Sequence, residues 1–233
     1  MGQKKLSLGK LFLELIIRPG SAFQSMKVGA AVWMVIIMAI IAITFSSIAG
    51  VVKHNRDFSP EAIMEQPEMK RAIEEGAVDQ DMLEETFCSP VFSFAMIIPA
   101  VIGALFTFTA GWMVKSSILL GAVSLAGGKM GWKESAAAVG ASWIPFFFHH
   151  LLKGTAALLG WQVAAFTGTG ALLVSHLNIF VLWNLALLTV AFTAIAGIPR
   201  IKAFACAAGY QAVVILINLG LIKLGGAFTG GML

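Results

Sequence analysis

Charge is scarce in this chain. Only 12% of its 233 residues are charged, against 58% hydrophobic ones, and the mean hydropathy is +0.87. A soluble domain of this length cannot bury so much apolar surface, so the composition excludes one and points to a polytopic membrane protein. Cysteine is scarcer still. There are two, Cys88 and Cys206, with no CxxC pair, so zinc-finger and thiol-redox chemistry find no ligands. The ten-residue alternating segments of a membrane β-barrel are missing, and the long apolar runs are helical in kind. No cleavable leader is evident, because the first apolar segment starts late and is too long for one. No basic run is interleaved with aromatics, so the net charge of +4 does not indicate a nucleic-acid partner.

Carboxylates are missing from every apolar run. That weakens metal binding and proton- or sodium-coupled transport, which rely on intramembrane Asp or Glu. No HExxH, paired aspartates or GxS before a helix appears, so no protease or hydrolase site is read and no cofactor is implied. Ser46, Ser47, Ser116 and Ser117 have no evident base and are expected to bond back to helix carbonyls. The chain reads as a non-enzyme.

Five apolar runs are present. Residues 1–28 form a cytoplasmic entry whose segment "KKLSLGKLFLELIIR" places Leu8, Leu11, Phe12 and Leu15 at helical spacing, opposite Ser7, Lys10, Glu14 and Arg18. This predicts an amphipathic helix in the membrane interface, ended by Pro19 and Gly20. The spans expected next are 29–52, 91–127, 135–159, 178–196 and 204–224, in one membrane domain. Residues 91–127 would measure about 55 Å as one helix, against a bilayer core of about 30 Å. One long helix, kinked at Pro99, is preferred to a span plus a re-entrant piece.

Between the first two spans lies an insertion, 53–90, with ten acidic and four basic residues. Ser59 and Pro60 read as a helix start, Pro67 as a restart and Gly76 as a stop. Two or three short helices are expected there. Lys4, Lys5, Lys10, Arg18, Lys27, Lys129, Lys133, Arg200 and Lys202 fall on one side of a five-span arrangement. The positive-inside rule makes that side cytoplasmic, with the N-terminus in, the C-terminus out and the acidic insertion outside.

Four stretches carry a family likeness. "RPGSAF" holds Pro19 and Phe23 before the first span, and "LAGGKMGWKESAAAVGASWIP" leads from a glycine turn to Pro145. "LNIFVLWNLALLTVAFTAIAGIPRIKAF" holds Asn178, Phe180, Trp183, Gly197 and Lys202-Ala203, and the last run holds Gly209 and Tyr210. In order and spacing the chain resembles the Yip (Ypt/Rab-interacting protein) domain family, as a bacterial-type member. The resemblance implies an all-α, integral membrane five-helix bundle. It covers most of the chain apart from the insertion. Eukaryotic members are associated with Rab-type GTPases, but the long cytosolic N-terminal region of those proteins is missing here. A bacterial inner membrane is the expected location.

The polar residues inside the runs are the candidate site. His149 and Lys153 are four apart and share a helix face, with His150 turned about 100° away. Lys115 lies on the second span. Asn184 is on the fourth, and Gln211 and Asn218 share a face of the fifth. One reading has the lysines snorkel to the interfaces while the histidines hydrogen-bond across helices. A second has Lys115, His149 and Lys153 hold an anionic group such as a lipid phosphate, with His150, Asn184, Gln211 and Asn218 as contacts within the bundle. Metal or proton chemistry is the third. Gly103, Gly111, Gly121 and Gly140, with Ala136 to Ala138, are expected to let helices approach closely. Three functions follow: a membrane-organising or lipid-handling protein, with membrane lipids as partners, that binds or passes an anionic lipid between the second and third spans; a scaffold docking a protein through the acidic insertion; or a small-anion transporter. Self-association is compatible with all three.

Overall fold

The computed structural model of the chain describes residues 7–57, 67–77, 79, 90–161 and 176–230. Among these the secondary structure is helical throughout, with no strand. The helices are α1 (Leu8–Ile17), α2 (Pro19–Ser25), α3 (Val28–Asp57), α4 (Pro67–Glu74), α5 (Pro90–Leu125), α6 (Trp132–Ala141), α7 (Ile144–Leu158), α8 (Ile179–Ala196) and α9 (Arg200–Gly230). Four helices are long and apolar enough to cross a membrane: α3 over Val28–Lys53, α5 over Ile97–Leu125, α8, and α9 over Arg200–Gly220. The chain divides into two compact units. One holds Met1–Met38, Thr109–His149 and Ala164–Leu233, and the other Ala39–Phe108 and His150–Val163.

In the first unit, Ser7 caps α1 by accepting the Lys10 N–H at 3.4 Å. Pro19 both ends α1 and begins α2. It has no N–H to continue one helix, and its fixed φ suits the first position of the next. Most of the apolar stripe of α1 is taken up by protein: Leu11 and Leu15 are buried, and Phe12 meets Phe147 and Phe148, while Leu8 is exposed. Leu13 and Ile17 stay exposed. α2 buries Ala22 and Phe23 and packs on α8. Asn178 caps α8 through the Phe180 and Val181 N–H groups, and Gly197 closes it at φ 70°.

Residues 90–125 form a single helix that passes through Pro99, with a length of about 54 Å. The stretch read as one span over 135–159 is made of two helices, Trp132–Ala141 of 10 residues and Ile144–Leu158 of 15. Pro145 explains the break. A continuous helix would need its N–H for the Ala141 carbonyl, and proline has none. The chain tightens instead: Trp143 N–H donates to Gly140 O at 3.0 Å and Phe146 N–H to Trp143 O at 2.9 Å.

α6 is bound tightly to α5. Trp112 Nε1 donates to Ala136 O at 2.8 Å, Ser135 Oγ to Ser116 O at 2.8 Å, and Trp132 Nε1 to Ser117 Oγ at 3.2 Å. Ser116 and Ser117 hydroxyls donate back to Trp112 O and Met113 O. Gly140 permits the approach, since a Cβ there would lie 2.7 Å from Val35 Cγ2 and 3.2 Å from Trp112 Cε2. Gly103, Gly111 and Gly121 do not serve this purpose among the described residues: a Cβ at any of them meets none of those within 4 Å. The two glycine turns interlock at one end of this unit. Lys129 N–H donates to Ala196 O, and Lys202 Nζ to Ala126 O, both at 3.2 Å.

In the second unit, α7 packs by Gly154 on Phe45 of α3, where an added Cβ would lie 2.5 Å from the ring. Of the acidic insertion, α4 is described, and Gly76 follows it at φ 69°. The helix start expected at Ser59 and Pro60, and Cys88, lie outside the described residues.

Candidate functional site

Lys115 is buried in the first unit with 7% of its surface exposed. Its position follows from α5, which is apolar all round and carries this one cation within its span. The ammonium donates to Asn184 Oδ1 at 3.2 Å. It also lies over the rings of Trp143 and Tyr210, 5.7 and 5.3 Å from their centroids, within reach of a cation–π attraction. No carboxylate pairs with it among the described residues. Outside the insertion, Glu14 and Glu134 are the only carboxylates of the sequence.

Asn184 links this lysine to the broken helix. Its Nδ2 donates to the Ser142 carbonyl at 2.6 Å and to Ser142 Oγ at 3.0 Å. The Ser142 carbonyl is one that the break releases, because Phe146 N–H goes to Trp143 O instead. Ser142 Oγ itself donates to Val139 O at 2.7 Å. A freed backbone acceptor inside the membrane domain is therefore satisfied by an amide, and the same amide's oxygen holds a cation.

A second feature lies in the same unit. A groove of about 390 Å³ runs between α3, α5 and α6, lined by Gly29, Trp33, Thr109, Trp112, Trp132, Lys133 and apolar neighbours. Trp33 and Trp132 are exposed, and Lys133 stands at the amino end of α6.

A family model described as the Yip1 domain matches residues 13–222. The chain belongs to the Yip1 domain family. No curated protein and no solved structure gives a significant match. This Yip1-domain protein therefore has apolar helices suited to a membrane and belongs to a family not known for enzymatic activity.

The residues singled out in the Yip1 sequence fall into separate settings. Lys115 and Asn184 meet. The His149 ring lies 4.9 Å from that of Phe180, centroid to centroid, while Phe148 stacks on Trp183 at 6.1 Å. In the second unit, His150 Nδ1 stands 3.4 Å from Ser46 Oγ, and Lys153 is exposed. Gln211 and Asn218 converge on His176, at 3.1 Å from Nδ1 and 3.4 Å from Nε2. Asn218 Nδ2 also donates to Val214 O at 3.0 Å, which fixes it as the donor to Nε2. Gln211 Nε2, also an amide donor, faces Nδ1 from the same helix.

Sequence reading expected a lipid cleft between the second and third spans but not the residues that line this groove, and it missed Ser142, Trp143 and His176 and the role of Tyr210. Pro145 offered an indirect signal for Ser142, since a proline frees the carbonyl four residues before it, here that of Ala141, and disturbs the turn that follows. Nothing marked Trp143 or Tyr210 as partners of a lysine, because the face that each presents depends on helix rotation.

Proposed function

We propose that this Yip1-domain protein is a non-enzymatic, membrane-organising protein that binds lipid between α5 and α6. One observation carries the reading: the groove between α3, α5 and α6 is lined almost wholly by apolar and aromatic groups. Two of its three helices, α3 and α5, are long and apolar enough to cross a membrane, so the natural occupant is a lipid acyl chain. Tryptophans at the groove suit the region between headgroups and chains. Lys115 supports the bundle in this reading, since its ammonium is already held by Asn184. His149 and Lys153 remain the candidates for a headgroup elsewhere. The cytoplasmic face is the one with the glycine turns. Their interlock gathers Lys129, Arg200 and Lys202 at one end, as the positive-inside rule favours. A bacterial inner membrane is the proposed setting.

Native mass spectrometry of the full chain released from gentle detergent tests the reading. Gly29 lines the groove, and a Cβ there meets nothing within 4 Å, so Gly29→Leu adds bulk at the lining without an immediate backbone-level clash. The wild type retains a phospholipid, and Gly29→Leu, folded to the same melting temperature, loses it. A wild type with no retained phospholipid, or a Gly29→Leu protein that keeps it, overturns the reading.

A further inference from the structure

Among the described residues, the groove has one charged lining residue. Lys133 lines it, and Lys27 immediately precedes Val28 and Gly29, which line it from α3. Both lysines are exposed. The nearest carboxylate in sequence, Glu134, is engaged locally: its Oε2 accepts the Gly131 N–H at 2.8 Å. Trp132 is likewise held, through Ser117, so the α6 end of the groove has a fixed wall. Gly29, Trp33, Thr109 and Trp112 give the groove a neutral lining besides.

We infer that this groove is a site for one anionic phospholipid of the cytoplasmic leaflet. The acyl chain lies along Trp33 and Trp112, and the phosphate meets Lys27 and Lys133. The inference rests on the lipid reading above and adds headgroup class, leaflet and residues to it. Charge complementarity decides the occupant. A zwitterionic headgroup gains little from two ammonium groups, because its own cation is repelled. A net-negative one keeps the full attraction, strengthened beside a low-dielectric groove. The leaflet follows from the same lysines, which lie on the side rich in positive charge. The site is distinct from the set Lys115, His149 and Lys153, which the sequence suggested for an anion.

The test offers the purified full chain equimolar dioleoyl phosphatidylglycerol and dioleoyl phosphatidylcholine, and compares the two adducts by native mass spectrometry. The wild type takes the anionic lipid in about five- to tenfold excess, as two lysines near one phosphate should give. Lys27→Gln/Lys133→Gln brings the ratio to about one, and Lys27→Arg/Lys133→Arg keeps the excess. Because both side chains are exposed, the glutamine variant should melt with the wild type. A wild type without preference, or a glutamine variant that keeps it, overturns the headgroup inference. If Gly29→Leu still lowers both adducts in that case, lipid binding in the groove stands without it. If Gly29→Leu lowers neither, both readings fall together.

Discussion

Lys115 Nζ and Asn184 Oδ1 meet at 3.2 Å where both side chains are almost fully buried, at 7% and 2% exposure. The pair is unequal. Lysine brings a charge that is costly to bury, while asparagine brings two functions, an acceptor for that charge and a donor for the Ser142 carbonyl. Removing the lysine takes away a charge. Removing the asparagine strands one, and strands a backbone carbonyl as well.

The consequence is an asymmetric double-mutant cycle. Asn184→Leu should destabilise the protein by about 2–4 kcal/mol, as is usual when a buried charge or acceptor loses its partner. Lys115→Met should cost no more than about 1 kcal/mol, since an apolar chain of similar length replaces a desolvated ammonium. Adding Lys115→Met to Asn184→Leu should recover part of the loss. Thermal unfolding of the four proteins in one detergent measures this. Equal single effects that simply add would show that the contact does not couple the two residues.

Glycines separate by position in the same way. Gly140→Ala drives a methyl to 2.7 Å from Val35 and should lower stability by about 1–3 kcal/mol, the usual cost of overpacking. Gly111→Ala meets nothing within 4 Å and should be neutral, or stabilising by up to about 1 kcal/mol through helix propensity. Melting temperatures of the two variants should therefore move apart. A fall at Gly111 as large as that at Gly140 would mean that its open face packs on another copy or another protein.

The helices themselves were legible because apolar length is a strong signal in a chain with few charges. Residues 90–125 could be read as one helix, since nothing but Pro99 interrupts them and one proline can be accommodated within a membrane helix. The break at Ser142 and Trp143 was less legible. Pro145 was visible, but whether a proline bends or breaks a helix depends on who satisfies the freed carbonyl, and Asn184 is 42 residues away. Lys115 was visible as an oddity without a direction, because a helix apolar on every side gives no phase to tell inward from outward. His176 lies in a neutral stretch with no periodicity. Its place between Gln211 and Asn218 is a tertiary fact. For the glycines, sequence shows where a close approach is permitted, and only packing shows where it is used.

The acidic insertion gives the rival reading its own test. Its described helix, Pro67–Glu74, carries exposed Glu68, Lys70, Arg71 and Glu74. If lipid binding resides in the groove, deleting residues 57–86 and joining the ends with a short Gly-Ser linker should leave the retained phospholipid unchanged. A pull-down from membranes should then show no dependence on the insertion beyond background. Loss of a specific protein partner on deletion, with lipid retention unaffected by Gly29→Leu, would make the insertion the working surface.

The last prediction concerns how many times the chain crosses the membrane. α6 and α7 together span residues 132–158, about 40 Å of helix at 1.5 Å per residue. That exceeds a bilayer core of about 30 Å even with a break, so the pair should cross despite neither helix being long enough alone. The Ser142 carbonyl, which the break leaves without a helix partner, is covered by Asn184, and this makes such a broken crossing tolerable. Cysteine labelling decides the matter. In a Cys88→Ser/Cys206→Ser background, a membrane-impermeant maleimide added to intact cells should label Asp79→Cys and a cysteine appended after the C-terminus. It should not label Lys129→Cys until the membrane is opened. With only four crossings the appended cysteine would be protected along with Lys129→Cys. Protection of Asp79→Cys together with labelling of Lys129→Cys would instead invert the assigned orientation.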